Sequence, residues 1–130
     1  MRKLIVAMVA IVVVLTGCNR LPVKSDPLVD RAEALQVVAF STFDAWLFIE
    51  HQNRAIYRTN FVEAHEYSEQ VRRNATEMLK VLEESAAKHR SQPTEVSKRQ
   101  LTIAISIVES HLRVCQNYIG EADKKSEGAK

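Results

Sequence analysis

The 130-residue sequence has only three glycines, Gly17, Gly120 and Gly128. None of them precedes a predicted helix in the way that a glycine-rich phosphate-binding loop requires, so no such loop is expected. Runs in which apolar and polar residues alternate are almost absent, which argues against strands. What remains is a recurrence of apolar residues at steps of three and four. This period is typical of helices, and the predicted fold class is therefore all-α.

Neither sign of charge predominates in the chain. Eighteen Lys and Arg stand against sixteen Asp and Glu, and Arg2 and Lys3 account for the difference. Beyond these two residues the chain is neutral and lacks a polybasic stripe. Nucleic-acid binding usually depends on a basic face, so we expect no nucleic-acid partner. The neutral charge also argues against a basic patch for anionic lipid headgroups.

The N-terminus has the features of an export signal. Arg2 and Lys3 precede an apolar run over residues 4–15. Two positive charges followed by about twelve apolar residues are typical of a secretory signal peptide. The run is shorter than the roughly 20 residues that a membrane-spanning helix needs. An ordinary secretory signal and a short N-terminal anchor are the two alternatives to the interpretation that follows.

The apolar run ends in Leu15-Thr16-Gly17-Cys18, which resembles the lipobox of bacterial lipoproteins. The resemblance implies cleavage before Cys18, a diacylglyceryl group on its thiol and an acyl chain on its new amine. Several acyl chains together anchor a protein stably, because each buried methylene contributes about 0.8 kcal/mol. Asn19 follows the cysteine where Asp would favour the inner membrane. The expected location is therefore the outer membrane, with the domain facing the periplasm.

Four segments are predicted along the chain: a signal peptide over 1–17, a tether over 18–26, a helical domain over 27–120 and a flexible tail over 121–130. Asp26 and Pro27 fit the N-cap and first position of a helix. Helices are expected over 27–58, over 61–90 and from 93 or 94 to 120. Gly120 is the expected C-terminal stop of the last helix.

The boundary between the first two predicted helices is the least marked. Asn60 and Glu63 fit a capping box, which predicts a turn and hence an antiparallel three-helix up-down bundle or long helical hairpin. The boundary contains neither Gly nor Pro, so one continuous helix to residue 90 is the alternative. The last helix would cover such a rod only in part, and homo-oligomerisation would then be expected.

Two pairs of residues have the i,i+4 spacing of ligands on one helix face: His65 with Glu69, and His111 with Cys115. Neither pair has third and fourth ligands at a suitable spacing, which argues against a metal site. Cys115 lies on an apolar stripe, so its thiol would be poorly exposed and would have no evident oxyanion hole beside it, which argues against a catalytic nucleophile. We therefore expect no catalytic, metal or cofactor residue other than the lipidated Cys18. Cys115 is interpreted as a buried hydrophobe, with an intermolecular disulfide or a redox thiol as the alternative.

The most apolar segment after the N-terminal run covers residues 37–49 and contains Phe40, Phe43, Trp46 and Phe48. At about 100° per residue these side chains wrap much of a helix. Either the first helix is central and covered on two sides, or an aromatic patch is left exposed to bind a helix or peptide of a partner. In the second case Trp46 is the expected anchor, because Trp is enriched at binding hot spots.

Together these features predict a non-enzymatic helical domain, tethered to a membrane, that binds another protein of the cell envelope. Two other classes of function fit the same features. One is an exclusion, immunity or inhibitor lipoprotein encoded by a phage or plasmid. The other is a helical bundle that binds a small ligand.

Overall fold

The computed structural model describes residues 25–128, which form four helices and no strands. The helices are α1 (Pro27–Gln52), α2 (Arg54–Asn60), α3 (Val62–Ser91) and α4 (Glu95–Gly128). Helices α1, α3 and α4 are long and each packs against the other two. The all-α helical bundle predicted from the sequence is confirmed. Cys18 and most of the predicted tether lie outside the described residues.

Helix α1 begins where the sequence predicts. Asp26 is the N-cap, and its side-chain oxygen accepts a hydrogen bond of 2.8 Å from the backbone N–H of Leu28. Pro27 occupies the first turn, where its missing N–H has no cost because that group would have no partner in the helix. The inner face of α1 carries residues spaced by three, four or seven positions: Val29, Ala32, Ala39, Phe43, Trp46 and Glu50.

The connection from α1 to α3 differs from the sequence prediction. The first helix ends at Gln52, not near residue 58, because Asn53 leaves the helical conformation with φ −118° and ψ 22°. The backbone N–H of Asn53 donates to the carbonyl of Glu50 at 3.2 Å, and its side-chain amide donates to the carbonyl of Ile49 at 3.0 Å. Phe61 makes the second break with φ −137° and ψ 56°, and no side chain caps α3. The predicted Asn60–Glu63 capping box is therefore wrong.

The alternative of one continuous helix to residue 90 is also wrong. The side chains of Glu50 and His65 meet at 2.7 Å across α1 and α3, and those of Asp26 and His89 meet at 2.9 Å at the other end of the same helices. Helices α1 and α3 are therefore antiparallel neighbours. We call the end with Asp26 and the α3–α4 turn the proximal end, and the end with α2 the distal end.

The turn from α3 to α4 is closed by two side chains. The hydroxyl of Thr94 accepts from the backbone N–H of Ser97 at 3.1 Å, and the hydroxyl of Ser97 accepts from the N–H of Thr94 at 2.9 Å. This reciprocal arrangement satisfies two donors at the start of α4, as a capping box does. The predicted start of the last helix at residue 93 or 94 is within two residues of the observed Glu95.

Helix α4 continues through Gly120 to Gly128, so the predicted stop at Gly120 and the flexible tail from residue 121 are corrected. A glycine inside a helix costs only about 1 kcal/mol relative to alanine, and most residues of 121–127 favour helices. The ammonium of Lys125 also lies 3.3 Å from the centroid of the Phe61 ring. This cation–π contact ties the last turns of α4 to the α2–α3 break.

The core follows the inner faces of the three long helices, and its largest fully buried side chains include Trp46, Val71, Leu82, Leu101 and Val108. At the distal end the core is aromatic. Trp46 stacks on Tyr118 with ring centroids 5.0 Å apart and meets Tyr57 edge-on at 5.5 Å.

One helix of the described residues, α1, is long and apolar enough to cross a membrane by length and composition. The core helix of a soluble bundle passes the same test. In this structure α1 packs against both α3 and α4.

Candidate functional site

The four aromatic residues expected to bind a partner divide into two pairs. Phe43 and Trp46 are 2% and 0% exposed and belong to the core. Phe40 and Phe48 are 66% and 63% exposed. Phe48 lies on the side of α1 away from the core, and Phe40 lies beside the groove toward α3. Trp46 is therefore not accessible to a partner, and the expectation that it anchors a partner is wrong. The reason is helical geometry: Phe43 and Trp46 are three residues apart on the side that meets α3 and α4.

Phe40 and Phe48 belong to a larger apolar area, which we call the α1 outer face and define as Val37, Phe40, Asp44 and Phe48. Steps of three, four and four place these residues in one row, and Val37 is 71% exposed. Asp44 lies between the two phenylalanines and forms no salt bridge with any residue of 25–128. The face thus combines two large aromatic side chains with one unpaired negative charge.

A groove of about 520 Å³ runs beside the α1 outer face, between α1 and α3. Phe40, Leu47, Ala75 and Leu79 give it an apolar floor, and charged side chains, including Asp44, Arg72, Lys80 and Glu83, stand along it. Phe40 belongs both to the face and to the groove. An elongated apolar groove with charged edges can receive one face of an amphipathic helix.

A buried carboxylate lies at the distal end of the same two helices. Glu50 is 0% exposed. One of its oxygens accepts from Nδ1 of His65 at 2.7 Å and the other from Nη2 of Arg72 at 2.5 Å. Nε of Arg54 lies 3.6 Å from Oε1 of Glu50. On the outer side of the cluster, Glu69 accepts from Arg54 and Arg72. Two arginines, one histidine and a second carboxylate are therefore joined around the buried carboxylate of Glu50.

Burial raises the pKa of the Glu50 carboxyl, but the hydrogen bonds from His65 and Arg72 and the nearby positive charges outweigh it, so the net pKa lies below its ordinary value of 4.5. An ionised carboxylate can only accept, so His65 must carry its proton on Nδ1. Of the pair considered from the sequence, His65 therefore contacts Glu50 on α1, and Glu69 contacts Arg54 and Arg72. The signal that could have revealed Glu50 is its spacing, four residues after Trp46 on the inner stripe.

The proximal end contains an Asp–His–Ser arrangement that resembles a hydrolytic triad in composition. His89 contacts Ser97 through Nδ1 at 2.7 Å and Asp26 through Nε2 at 2.9 Å. In a triad the carboxylate meets Nδ1 and the nucleophile meets Nε2, so the order here is reversed. Ser97 is 2% exposed, and its hydroxyl accepts from Thr94 at the start of α4. The three residues therefore join the start of α1 to the α3–α4 turn.

Cys115 and His111 lie one turn apart on α4, as the sequence indicates, but they do not act on each other. The His111 ring meets the hydroxyl of Tyr67 at 2.7 Å. Cys115 is 0% exposed, and burial raises the pKa of its thiol to about 11. The thiol is therefore protonated at neutral pH and is a poor nucleophile or metal ligand. Within residues 25–128 no group of three or more His, Cys, Asp or Glu is placed to hold a metal ion.

The fold and these clusters define the chain as an all-α bundle with a partly apolar surface on its first helix. A comparison with known proteins found no match to a family model, to a curated protein or to a solved structure.

Proposed function

We propose that the chain is a lipid-anchored protein of the bacterial cell envelope that binds another protein through the α1 outer face and does not act as an enzyme. The observation that carries the binding proposal is the exposure of Phe40 and Phe48, two large aromatic side chains on one helix face. Exposed apolar areas of this kind mark interaction sites more often than isolated exposed residues do. The lipobox-like sequence that ends in Cys18 supports the anchor.

The proposed anchor would keep this face close to a membrane. Asp26 is eight residues after Cys18, and a fully extended chain of eight steps reaches at most about 26–29 Å. The α1 outer face begins at Val37, about 15 Å along the helix from Pro27. A lipidated chain would therefore present Phe40 and Phe48 to proteins that lie in the membrane or just above it, at the periplasmic side of the outer membrane.

The chemistry of the face specifies the partner segment. An amphipathic helix could lay apolar side chains against Phe40 and Phe48 and place a Lys or Arg opposite Asp44. The groove beside the face offers the same helix an apolar floor at Leu47 and Leu79. A partner of this kind would gain apolar burial along the face and an ion pair that fixes its register.

The anchor is tested by metabolic labelling with palmitate in the bacterium. The unsubstituted chain should incorporate label and fractionate with the outer membrane, while Cys18→Ser should lose the label and leave the membrane fraction. Unlabelled protein, or a Cys18→Ser variant with unchanged processing and location, would contradict the anchor.

The binding surface is tested by placing a photo-crosslinking amino acid at position 48 in cells and identifying the crosslinked protein by mass spectrometry. The adduct should disappear when Phe40→Ser is added, because that change removes the neighbouring aromatic contact. The control places the same crosslinker at Ile56, which is 51% exposed on α2. The same adduct at both positions, or an adduct unaffected by Phe40→Ser, would show that the α1 outer face is not the binding surface.

A further inference from the structure

The groove between α1 and α3 is lined by four charged side chains, two of each sign. Asp44 belongs to the α1 edge, and Arg72, Lys80 and Glu83 belong to the α3 edge. Equal numbers of the two signs favour no particular partner. The charge that a partner meets depends instead on which of the four side chains already pair with other residues of the chain.

The two basic residues of the groove contact carboxylates of the chain itself. Arg72 meets the buried Glu50 through Nη2 at 2.5 Å and Glu69 through Nη1 at 3.2 Å. The ammonium of Lys80 lies 3.9 Å from Oε1 of Glu84, and both of these side chains are exposed, so this pair is weak. The charge of Arg72 is therefore balanced within the chain, and that of Lys80 is balanced in part.

The two acidic residues of the groove have no such partner. Asp44 and Glu83 are exposed, and neither forms a salt bridge with any residue of 25–128. They lie on different helices, so each edge of the groove carries one unpaired carboxylate. Between the edges is the apolar floor that includes Phe40, Leu47 and Leu79.

The wider network of charges around the groove is also acidic. Three basic groups stand against five acidic groups when the residues that pair with Arg72 and Lys80 are included, which leaves a net charge of −2 with His65 neutral. The groups are Arg54, Arg72 and Lys80 against Asp44, Glu50, Glu69, Glu83 and Glu84.

The fold also favours a helix over an extended segment as the occupant. An extended peptide needs partners for its backbone N–H and C=O groups, and it usually finds them at the edge of a sheet. The described part of the chain contains helices alone, so it offers no such edge. A helix satisfies its own backbone groups and can bury one apolar face in the groove.

We infer that the partner segment is a basic amphipathic helix, with Lys or Arg on both flanks of its apolar face. One flank meets Asp44 on α1 and the other meets Glu83 on α3, while the apolar face covers the floor. This inference rests on the proposed function and adds to it the sign of the charge and its presence on two flanks. An acidic helix would bring its carboxylates against Asp44 and Glu83, with only the partly paired Lys80 to attract them.

The experiment measures the binding of two synthetic helical peptides to the full chain, attached to vesicles of phosphatidylcholine, a lipid without net charge. The peptides share one apolar face of Leu and Ala, and they carry either Lys or Glu on both flanks. Fluorescence anisotropy of labelled peptide gives the affinities, and vesicles without protein give the background. The Lys peptide should bind about tenfold more tightly than the Glu peptide, because two attractive pairs replace two repulsive ones.

Single substitutions locate the binding within the groove. Asp44→Asn and Glu83→Gln should each weaken binding of the Lys peptide by about twofold to fivefold, since each removes one exposed ion pair. Lys80→Gln should strengthen it, because the substitution removes the one partly unpaired cation of the groove. Glu77→Gln is the matched control: Glu77 is an exposed carboxylate of the same helix, but it lines a separate groove toward α4.

The inference is overturned if the Glu peptide binds as tightly as the Lys peptide, or if neither binds. It is also overturned if Lys80→Gln weakens binding of the Lys peptide, or if Glu77→Gln has the same effect as Glu83→Gln. The photo-crosslink at position 48 is independent of these peptides. An adduct at that position together with a failed peptide test would remove this inference and leave the proposed function standing.

Discussion

Replacing Glu50 with glutamine removes the one fully buried charge of the described residues while keeping the shape of the side chain. The wild-type carboxylate accepts two charge-assisted hydrogen bonds, at 2.7 Å from His65 and 2.5 Å from Arg72. Hydrogen bonds to charged groups contribute about 1.5–3 kcal/mol each, and removing one member of a buried ion pair costs about 3–5 kcal/mol. Glutamine can still accept from Arg72. We therefore expect a loss of about 2–4 kcal/mol, a large part of the 5–15 kcal/mol typical of a domain.

The assay is urea unfolding of residues 19–130 followed by far-ultraviolet circular dichroism, with the free energy of unfolding taken from the midpoint and slope. Glu69→Gln is the matched control, because Glu69 binds Arg54 and Arg72 but its side chain is 41% exposed. That change should cost at most about 1 kcal/mol. Equal losses for the two variants, or a loss below about 1 kcal/mol for Glu50→Gln, would refute the argument that burial makes this carboxylate important.

The pH dependence of stability follows from the same contacts. The folded-state pKa of Glu50 lies below its ordinary value of 4.5, so the unfolded chain binds the proton more readily than the folded chain does. The contribution of Glu50 is therefore present above pH 4.5 and is lost as the pH falls through the lowered pKa. Glu50→Gln should flatten this acid part of the stability curve. An unchanged curve between pH 5 and 3 in the variant would contradict the assignment.

Three further predictions concern the core and α4. Trp46→Ala should lower the free energy of unfolding by about 3–5 kcal/mol, because it opens a cavity under Tyr118. Trp46→Phe should cost less, since the buried indole N–H has no acceptor among the described residues. Urea titrations of the two variants measure both losses. Equal losses of unfolding free energy for Trp46→Ala and Trp46→Phe would be evidence against tight packing at this position. Cys115 should resist Ellman's reagent at pH 8 in the folded protein and react on unfolding, because its pKa is about 11; immediate reaction would mean that the thiol is accessible. Gly120→Ala should stabilise the protein by about 0.5–1 kcal/mol, because the added Cβ would have no atom within 4 Å apart from its chain neighbours and the backbone of its own helix; a lower melting temperature would show that α4 does not continue there as described.

Local signals in the sequence located several features correctly. Asp26-Pro27 marks the start of α1 because a side-chain acceptor and a residue without an N–H fit the first turn of a helix. Proline and small polar residues mark the α3–α4 turn for similar reasons. The α1–α3 connection was harder to predict. Asn53 breaks the helix with no Gly or Pro nearby, so the residue types around it do not mark the break.

At the end of α4 the sequence predicts a break where the structure has none. Gly120 and the polar residues after it have the composition of a helix end and a tail. The helix continues because favourable helix formers follow the glycine and because Lys125 lies over the Phe61 ring. That contact joins residues 64 positions apart in the sequence, so no local pattern could indicate it.

The sequence alone determined the helical class, the inner stripes of the long helices and the neutrality of the chain, because periodicity and composition are local properties. Only the tertiary structure decided which aromatic residues of α1 face water. A helix that is apolar around most of its circumference does not reveal in its sequence which side meets its neighbours. Packing against α3 and α4 buried Phe43, Trp46 and Glu50, and it left Phe40 and Phe48 at the surface. The same packing buried Leu101 and Val108 of α4 and left Ile103 and Ile107 at the surface.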